Sequence, residues 1–262
     1  MYLYQVPHVR GGAPLLLSIS PTCQPLSVWK PVVESGAAHA VALGWAFAMV
    51  ELPQYHLLPG EPTPGSFCQD HTNLVQSGEL AANDTSWLNE SAGCIAVEGL
   101  TNQIFSGKAS PLAVLCRSPT IDCSKGVGIV GNSLPGSIAK QAARMDARVT
   151  ATLITSIPRD SCTPSALPPS KVLALIGADE EFYVGNVVEL QAIAGVPQSA
   201  CGTSTRCIAA DGSGYNIIQG VKPVPTVRTN HMSFILRFWL GGDEEWQYQA
   251  GLEWLMGAAR AA

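Results

Sequence analysis

The chain has 262 residues and a formal net charge of −5, with 47% hydrophobic and only 13% charged residues. That length suits one domain with a sizeable core, and the apolar balance excludes a disordered chain. The acidic balance and the lack of a basic stripe exclude a nucleic-acid surface, and the longest apolar stretch, residues 37–52, is too short to span a bilayer and is broken by His39 and Gly44.

Residues 1–20 predict one or two strands. Tyr2, Tyr4 and Val6 alternate with Leu3 and Gln5, and residues 15–20 form a buried run between Pro14 and Pro21. Residues 27–43 predict a helix with Val28, Val32, Val33, Ala37, Ala40 and Val41 near one face, and residues 45–52 a strand that stops at Pro53. Strand, helix, strand over this span is a βαβ unit and calls for a parallel sheet. Residues 53–77 are rich in Pro, Gly, Gln and Asn and read as loop, with Cys68 and His71 inside. Residues 80–99 and 100–116 are expected to be helical in part, with apolar contacts from Trp87, Leu88, Ile95 and Val97, and no strand pattern is present between Leu52 and Val127.

Residues 126–130 are a β-branched run punctuated by Gly126 and Gly128, which predicts a short buried strand. A tight turn, Gly131-Asn132-Ser133-Leu134-Pro135-Gly136, follows, and then Ile138, Ala139, Ala142 and Ala143 recur at helical spacing with Lys140 and Arg144 opposite. Residues 148–157 and 171–177 predict two more buried strands, separated by a loop with four prolines at residues 158–170. Asp211-Gly212-Ser213-Gly214 is a turn before a strand at residues 215–218, residues 234–240 read as helical, and residues 241–262 form a helix whose Trp246, Leu252, Trp254, Leu255 and Met256 pack on the sheet. No repeat and no linker divides the chain, so residues 1–262 are expected to form a single domain.

There are eight cysteines: Cys23, Cys68, Cys94, Cys116, Cys123, Cys162, Cys201 and Cys207. That number points to an oxidising compartment, and the close pairs Cys116/Cys123 and Cys201/Cys207 are expected to be disulfides. No CxxC pair exists and the histidines do not cluster with the cysteines, so neither zinc nor any other metal or cofactor is expected. The sequons at Asn83 and Asn89 fit a secreted surface loop. The sequence opens on strand-like residues without a leader, and secretion is expected on the strength of the cysteines.

The strand, the turn bearing Ser133 and the helix carry the chemistry. A Ser in a strained strand-to-helix turn lifts its hydroxyl out of the sheet, and the helix behind it offers unpaired N–H groups to a developing oxyanion. The turn resembles the nucleophile elbow of the α/β-hydrolase family, Gly-x-Ser-x-Gly. It departs at Pro135, which stands where the last glycine is expected, with Gly136 one residue later. A proline is tolerated in the first turn of a helix. The competing reading is a Ser-bearing loop of the kind found in any α/β protein.

The resemblance implies the chain order Ser, acid, His. The acid follows the strand after the elbow unit, where Asp179, Glu180 and Glu181 stand together. Glu180 is preferred because Phe182 then follows by two; Asp179 and Glu181 stay open, as does a merely solvated acidic turn. His231 is the only His after His71 and lies on the expected late loop; His8, His39, His56 and His71 precede the Ser and do not fit the order. Asp211 is nearer His231 in sequence but reads as a turn residue. The oxyanion N–H donors implied by the resemblance are Leu134 and Cys23, with Thr22 as second choice, because Ser20-Pro21-Thr22-Cys23 stands where cutinase-like members carry Ser-Pro-Gly-aromatic.

The expected fold is therefore an α/β-hydrolase-like, doubly wound, mostly parallel sheet with helices on both faces. The resemblance implies one or two edge strands ahead of residue 1, and a loop and helix region at residues 53–125 that rims the site. The implied activity is hydrolysis of a carboxylic ester through an acyl-enzyme, with distant similarity to the chlorophyllase, dienelactone hydrolase, lipase and cutinase-like branches. The partner is then a small or lipid-like ester. The alternatives are acyl transfer to another acceptor and a non-catalytic binding protein of the same fold.

Overall fold

The computed structural model describes residues 1–4, 11–20, 26–52, 91–156, 171–180, 187–196, 198–219 and 245–260. Its strands are β1 (Tyr2–Tyr4), β2 (Leu15–Ile19), β3 (Ala46–Val50), β4 (Val127–Asn132), β5 (Val149–Thr155), β6 (Lys171–Gly177), β7 (Arg206–Ile208) and β8 (Gly214–Ile218). The helices are α1 (Leu26–Ala42), α2 (Ser91–Phe105), α3 (Pro111–Leu115), α4 (Leu134–Met145), α5 (Val187–Ala194), α6 (Gln198–Cys201) and α7 (Glu245–Arg260).

The strands form one sheet in the order β1-β3-β2-β4-β5-β6-β8-β7. The six inner strands are parallel, and the three-residue edge strands β1 and β7 run antiparallel to their neighbours. Every residue of β2, β3 and β4 is buried, which explains their largely apolar runs. The pleat then divides each strand between two layers. On one face Leu15, Leu17, Ala48 and Ile129 pack against Leu100 and Ile104 of α2, Leu112 of α3 and Ile138 and Ala142 of α4. On the other, Leu16, Phe47, Val130 and Leu153 pack against Trp29 and Ala40 of α1 and Leu252 and Leu255 of α7. Helix α5 covers Val172, Ala174 and Ile217 through Leu190 and Ile193.

Helix α7 approaches the sheet closely because two glycines permit it. A Cβ at Gly128 would lie 3.0 Å from Leu255 Cγ, and one at Gly251 would lie 3.0 Å from Leu175 Cδ1. At its end, the Arg260 guanidinium stacks 5.2 Å from the Trp45 ring centroid and donates to Leu43 O at 3.0 Å, which ties α7 to the turn between α1 and β3.

Both expected disulfides, Cys116–Cys123 and Cys201–Cys207, are present. The helical stretch expected up to residue 116 is broken after Phe105, where Gly107 takes φ +83°. It resumes at α3, where the Ser110 hydroxyl caps Ala113 N at 3.2 Å. Strand β5 stops at Thr155, two residues short of expectation, because Ser156 turns to φ +53°. Two elements carry no clear sequence signal. Strand β7 is short and mostly exposed and exists by pairing with β8, and α5 is apolar on nearly every side and too short to display a period. The expected helix at residues 234–240, the loops at residues 53–77 and 158–170 and both sequons lie outside the described residues.

Candidate active site

Strand β2 is flanked by β3 and β4, so the connections after β2 and β4 leave in opposite directions. In an open parallel sheet, the crevice at the carboxyl ends of two such strands is where ligands bind. Ser133 stands there, directly after β4.

Its backbone is forced. Ser133 has φ 64° and ψ −136°, a region costing a non-glycine residue about 1–3 kcal/mol. The surroundings hold it in place: Ser133 N donates to Thr155 O at 2.9 Å, and Ser133 O accepts from Gly136 N at 2.7 Å. Gly131 makes the fold-back possible, since a Cβ there would sit 2.2 Å from Pro135 O. Ser133 occupies the N-cap position of α4, yet its hydroxyl makes no capping hydrogen bond. Leu134 is the first residue of α4, so its N–H belongs to the helix end that has no intrahelical acceptor. Pro135 occupies the first turn, where its missing N–H leaves no helical bond unmade. The departure from the glycine pattern is thereby accommodated.

The acidic turn lies at the same edge. Strand β6 ends at Gly177, and Glu180 N donates back to Gly177 O at 3.3 Å. The Glu180 side chain is 6% exposed. Its Oε1 accepts from Ser156 Oγ at 2.7 Å and from Gly177 N at 2.9 Å, donors a buried carboxylate requires. Asp179 is exposed. Glu180 thus presents an oriented, desolvated carboxylate. Glu181 lies outside the described residues, as do His231, Thr22 and Cys23.

The described residues that flank those positions end at this edge. Ser20, just past β2, donates its N–H to Val50 O at 2.9 Å, and its hydroxyl accepts from Leu52 N at 3.1 Å. Strand β8 ends at Ile218, in register with Gly177, and Ala178 N donates to Ile218 O at 2.8 Å. Asp211, as expected, is a turn residue: its carboxylate accepts from Ser213 N at 2.9 Å. Among the described residues no group of three His, Cys, Asp or Glu side chains could hold a metal ion, and no helix is long and apolar enough to cross a membrane.

The mostly parallel sheet with its helices superposes on solved structures. Over 98% of this chain and 91% of its own, a candidate dienelactone hydrolase from Klebsiella pneumoniae superposes with a TM-score of 0.56 at 10% identity. The chain has the α/β-hydrolase fold. A glucuronoyl esterase from Solibacter usitatus matches over 97% of this chain and 76% of its own, with a TM-score of 0.57 and 13% identity. A hyperthermophilic esterase from the archaeon Pyrobaculum calidifontis matches over 98% and 79%, with a TM-score of 0.51 and 10% identity. No family model and no curated protein matches the sequence.

Within this α/β-hydrolase fold the carboxyl edge presents Ser133, Ser156 and Glu180 in succession, just past the ends of β4, β5 and β6. Ser156 was not among the residues the sequence singled out. Its neighbours Thr155 and Asn132 form a further buried pair across β5 and β4, the Thr155 hydroxyl donating to Asn132 Oδ1. Thr155 had no pattern that distinguished it from strand interior, and Asn132, expected in the turn, is the last residue of β4.

Proposed function

We propose that the protein is a serine hydrolase that cleaves a carboxylic ester through an acyl-enzyme, with Ser133 as nucleophile, His231 as general base and Glu180 as the acid that orients it. The observation that carries this reading is Ser133 itself, held at φ 64° with its hydroxyl unengaged by the helix it caps. Strain of this kind persists where the surroundings over-determine it, and such positions cluster at active sites. The buried carboxylate of Glu180 supports it. The ends of β4 and β6 are two strand spacings apart, roughly 10 Å, a span that an imidazole and two side chains bridge. His231 is assigned by chain order and by its place in the segment that follows β8.

The Ser133 hydroxyl oxygen attacks the ester carbonyl carbon as His231 takes its proton. The resulting oxyanion is held by the N–H groups of Leu134 and Cys23, each such donor contributing about 3–4 kcal/mol to the transition state. Collapse expels the alcohol, which leaves with the proton from His231, and water repeats the sequence to release the acid. The solved esterases of the same fold support ester chemistry as the reaction class. The low charge of the chain favours an apolar acyl or alcohol group. The two disulfides support a secreted protein.

The test is hydrolysis of short and medium p-nitrophenyl esters, together with labelling by a fluorophosphonate, for wild type and Ser133→Ala. Activity is expected to fall by about 10⁴-fold or more in the variant, and labelling to disappear. A folded wild type that neither labels nor turns over refutes the reading and leaves a binding protein of this fold. Labelling with faster transfer to an added alcohol than to water would instead make it an acyltransferase.

A further inference from the structure

We infer that Ser156 is a positioning residue for this reaction, holding the Glu180 carboxylate in the orientation that the triad needs; the inference rests on the assignment of Ser133 and Glu180 above. Among the described residues only two non-glycine positions have positive φ, Ser133 at 64° and Ser156 at 53°. They are structurally equivalent. Asn132 and Thr155 are paired in register across β4 and β5, and each serine follows its strand's last residue. The two are also joined, because Ser133 N donates to the carbonyl of Thr155, the peptide that leads into Ser156.

A glycine would take φ 53° without a Cβ conflict, and a serine there is strained. What the serine adds is its hydroxyl. Ser156 is fully buried, its N–H donates to Leu175 O at 3.1 Å, and its Oγ donates to Glu180 Oε1 at 2.7 Å, a length in the charge-assisted range. The second donor on the same oxygen is Gly177 N at 2.9 Å, from the end of the neighbouring strand. Two donors from two strand ends, both on Oε1, anchor that oxygen of the carboxylate. Ser156 touches no reacting atom in this scheme. It acts through Glu180, as an outer hydrogen-bond partner tunes the group it supports.

The experiment compares Ser156→Ala, Ser156→Gly, Ser133→Ala and wild type in steady-state hydrolysis of a short p-nitrophenyl ester, in the rate of fluorophosphonate labelling, and in thermal unfolding. Both Ser156 variants are expected to lose roughly 10- to 100-fold in kcat and in labelling rate with KM changed less than about twofold, well short of the roughly 10⁴-fold loss that follows when the acid no longer fixes the imidazole tautomer. Their melting temperatures should diverge, glycine lying above alanine because it relieves the positive φ. Equal kinetic loss against unequal stability is the signature of the hydroxyl. Full kcat in both variants, with labelling still dependent on Ser133, overturns this inference and leaves the proposed function standing. A kinetic loss that follows melting temperature, alanine impaired and glycine normal, also overturns it. A wild type that Ser133→Ala leaves unchanged overturns the proposed function itself.

Discussion

Replacing Gly131 by Ala puts the elbow under direct test. The new Cβ would meet Pro135 O at 2.2 Å, Pro135 C at 2.5 Å and Gly136 N at 2.8 Å. All three are backbone atoms, and the shortest contact is roughly an ångström inside ordinary van der Waals distance. Gly131 does not have a positive φ, so the substitution adds no conformational strain and isolates the clash. Relief requires the first turn of α4 to move, yet Leu134 and Ile138 are buried against the core and Gly136 N is bonded to Ser133 O. Overpacking of this kind costs about 1–3 kcal/mol, and a rigid backbone partner puts it near the upper end, about 3 kcal/mol. For a chain of this size that lowers Tm by about 6–12 °C. If Ser133 is the proposed nucleophile, a displacement of about 1 Å there also lowers the fluorophosphonate labelling rate by on the order of 100-fold. Circular dichroism melts and timed labelling measure the two effects. Gly257→Ala serves as control: it is exposed on α7 with nothing within 4 Å of the added Cβ, so it should raise stability by about 0.5–1 kcal/mol. Gly131→Ala with a Tm within about 2 °C of wild type and an unchanged labelling rate would refute the claim that close packing creates the Ser133 conformation.

Two further outcomes follow from the scaffold. Removing the Cys116–Cys123 bridge as a double Ser variant should cost about 2–2.5 kcal/mol by the loop-entropy estimate for a sequence separation of 7, and denaturant titration of the oxidised proteins would expose the reasoning if the midpoints coincide. At the start of β5, burial pushes the Asp146 carboxyl up, but hydrogen bonds from the Arg148 side chain and from Arg148 N at 3.0 Å, together with the guanidinium charge, draw it further down, so its pKa lies below the usual value. A depressed folded-state pKa stabilises the native state above the unfolded value of about 3.9, and that stability is lost as pH falls through the folded one. Asp146→Asn should therefore cost about 0.5–1 kcal/mol at pH 7 after allowance for solvent screening, and the difference from wild type should shrink below about pH 4; a difference that persists into acid would contradict the sign.

Much of this architecture is legible in the chain because parallel inner strands must be apolar on both sides. The continuous runs at β2, β3, β5 and β6 left little choice of element, and the Gly-x-Ser turn between a β-branched run and an amphipathic helix marked Ser133. Those are local properties, set by side-chain type, period 2 or 3.6 and the steric freedom of glycine. The choice among the acidic residues after β6 was not local. Asp179 and Glu180 are chemically alike neighbours, and only the fold turns one to solvent and the other onto Ser156 and Gly177. Ser156 itself looked like the end of a strand, 23 residues from Ser133 and 24 from Glu180. Its conformation and its partner depend on the register of β4, β5 and β6, and register arises from pairing between segments distant in sequence. The same holds for β7, which exists through its partner strand. The sequence by itself determined the inner strands and the turn that bears Ser133; tertiary structure decided how the Glu180 carboxylate is held, because hydrogen bonds between strand ends follow from sheet order and no local pattern encodes them.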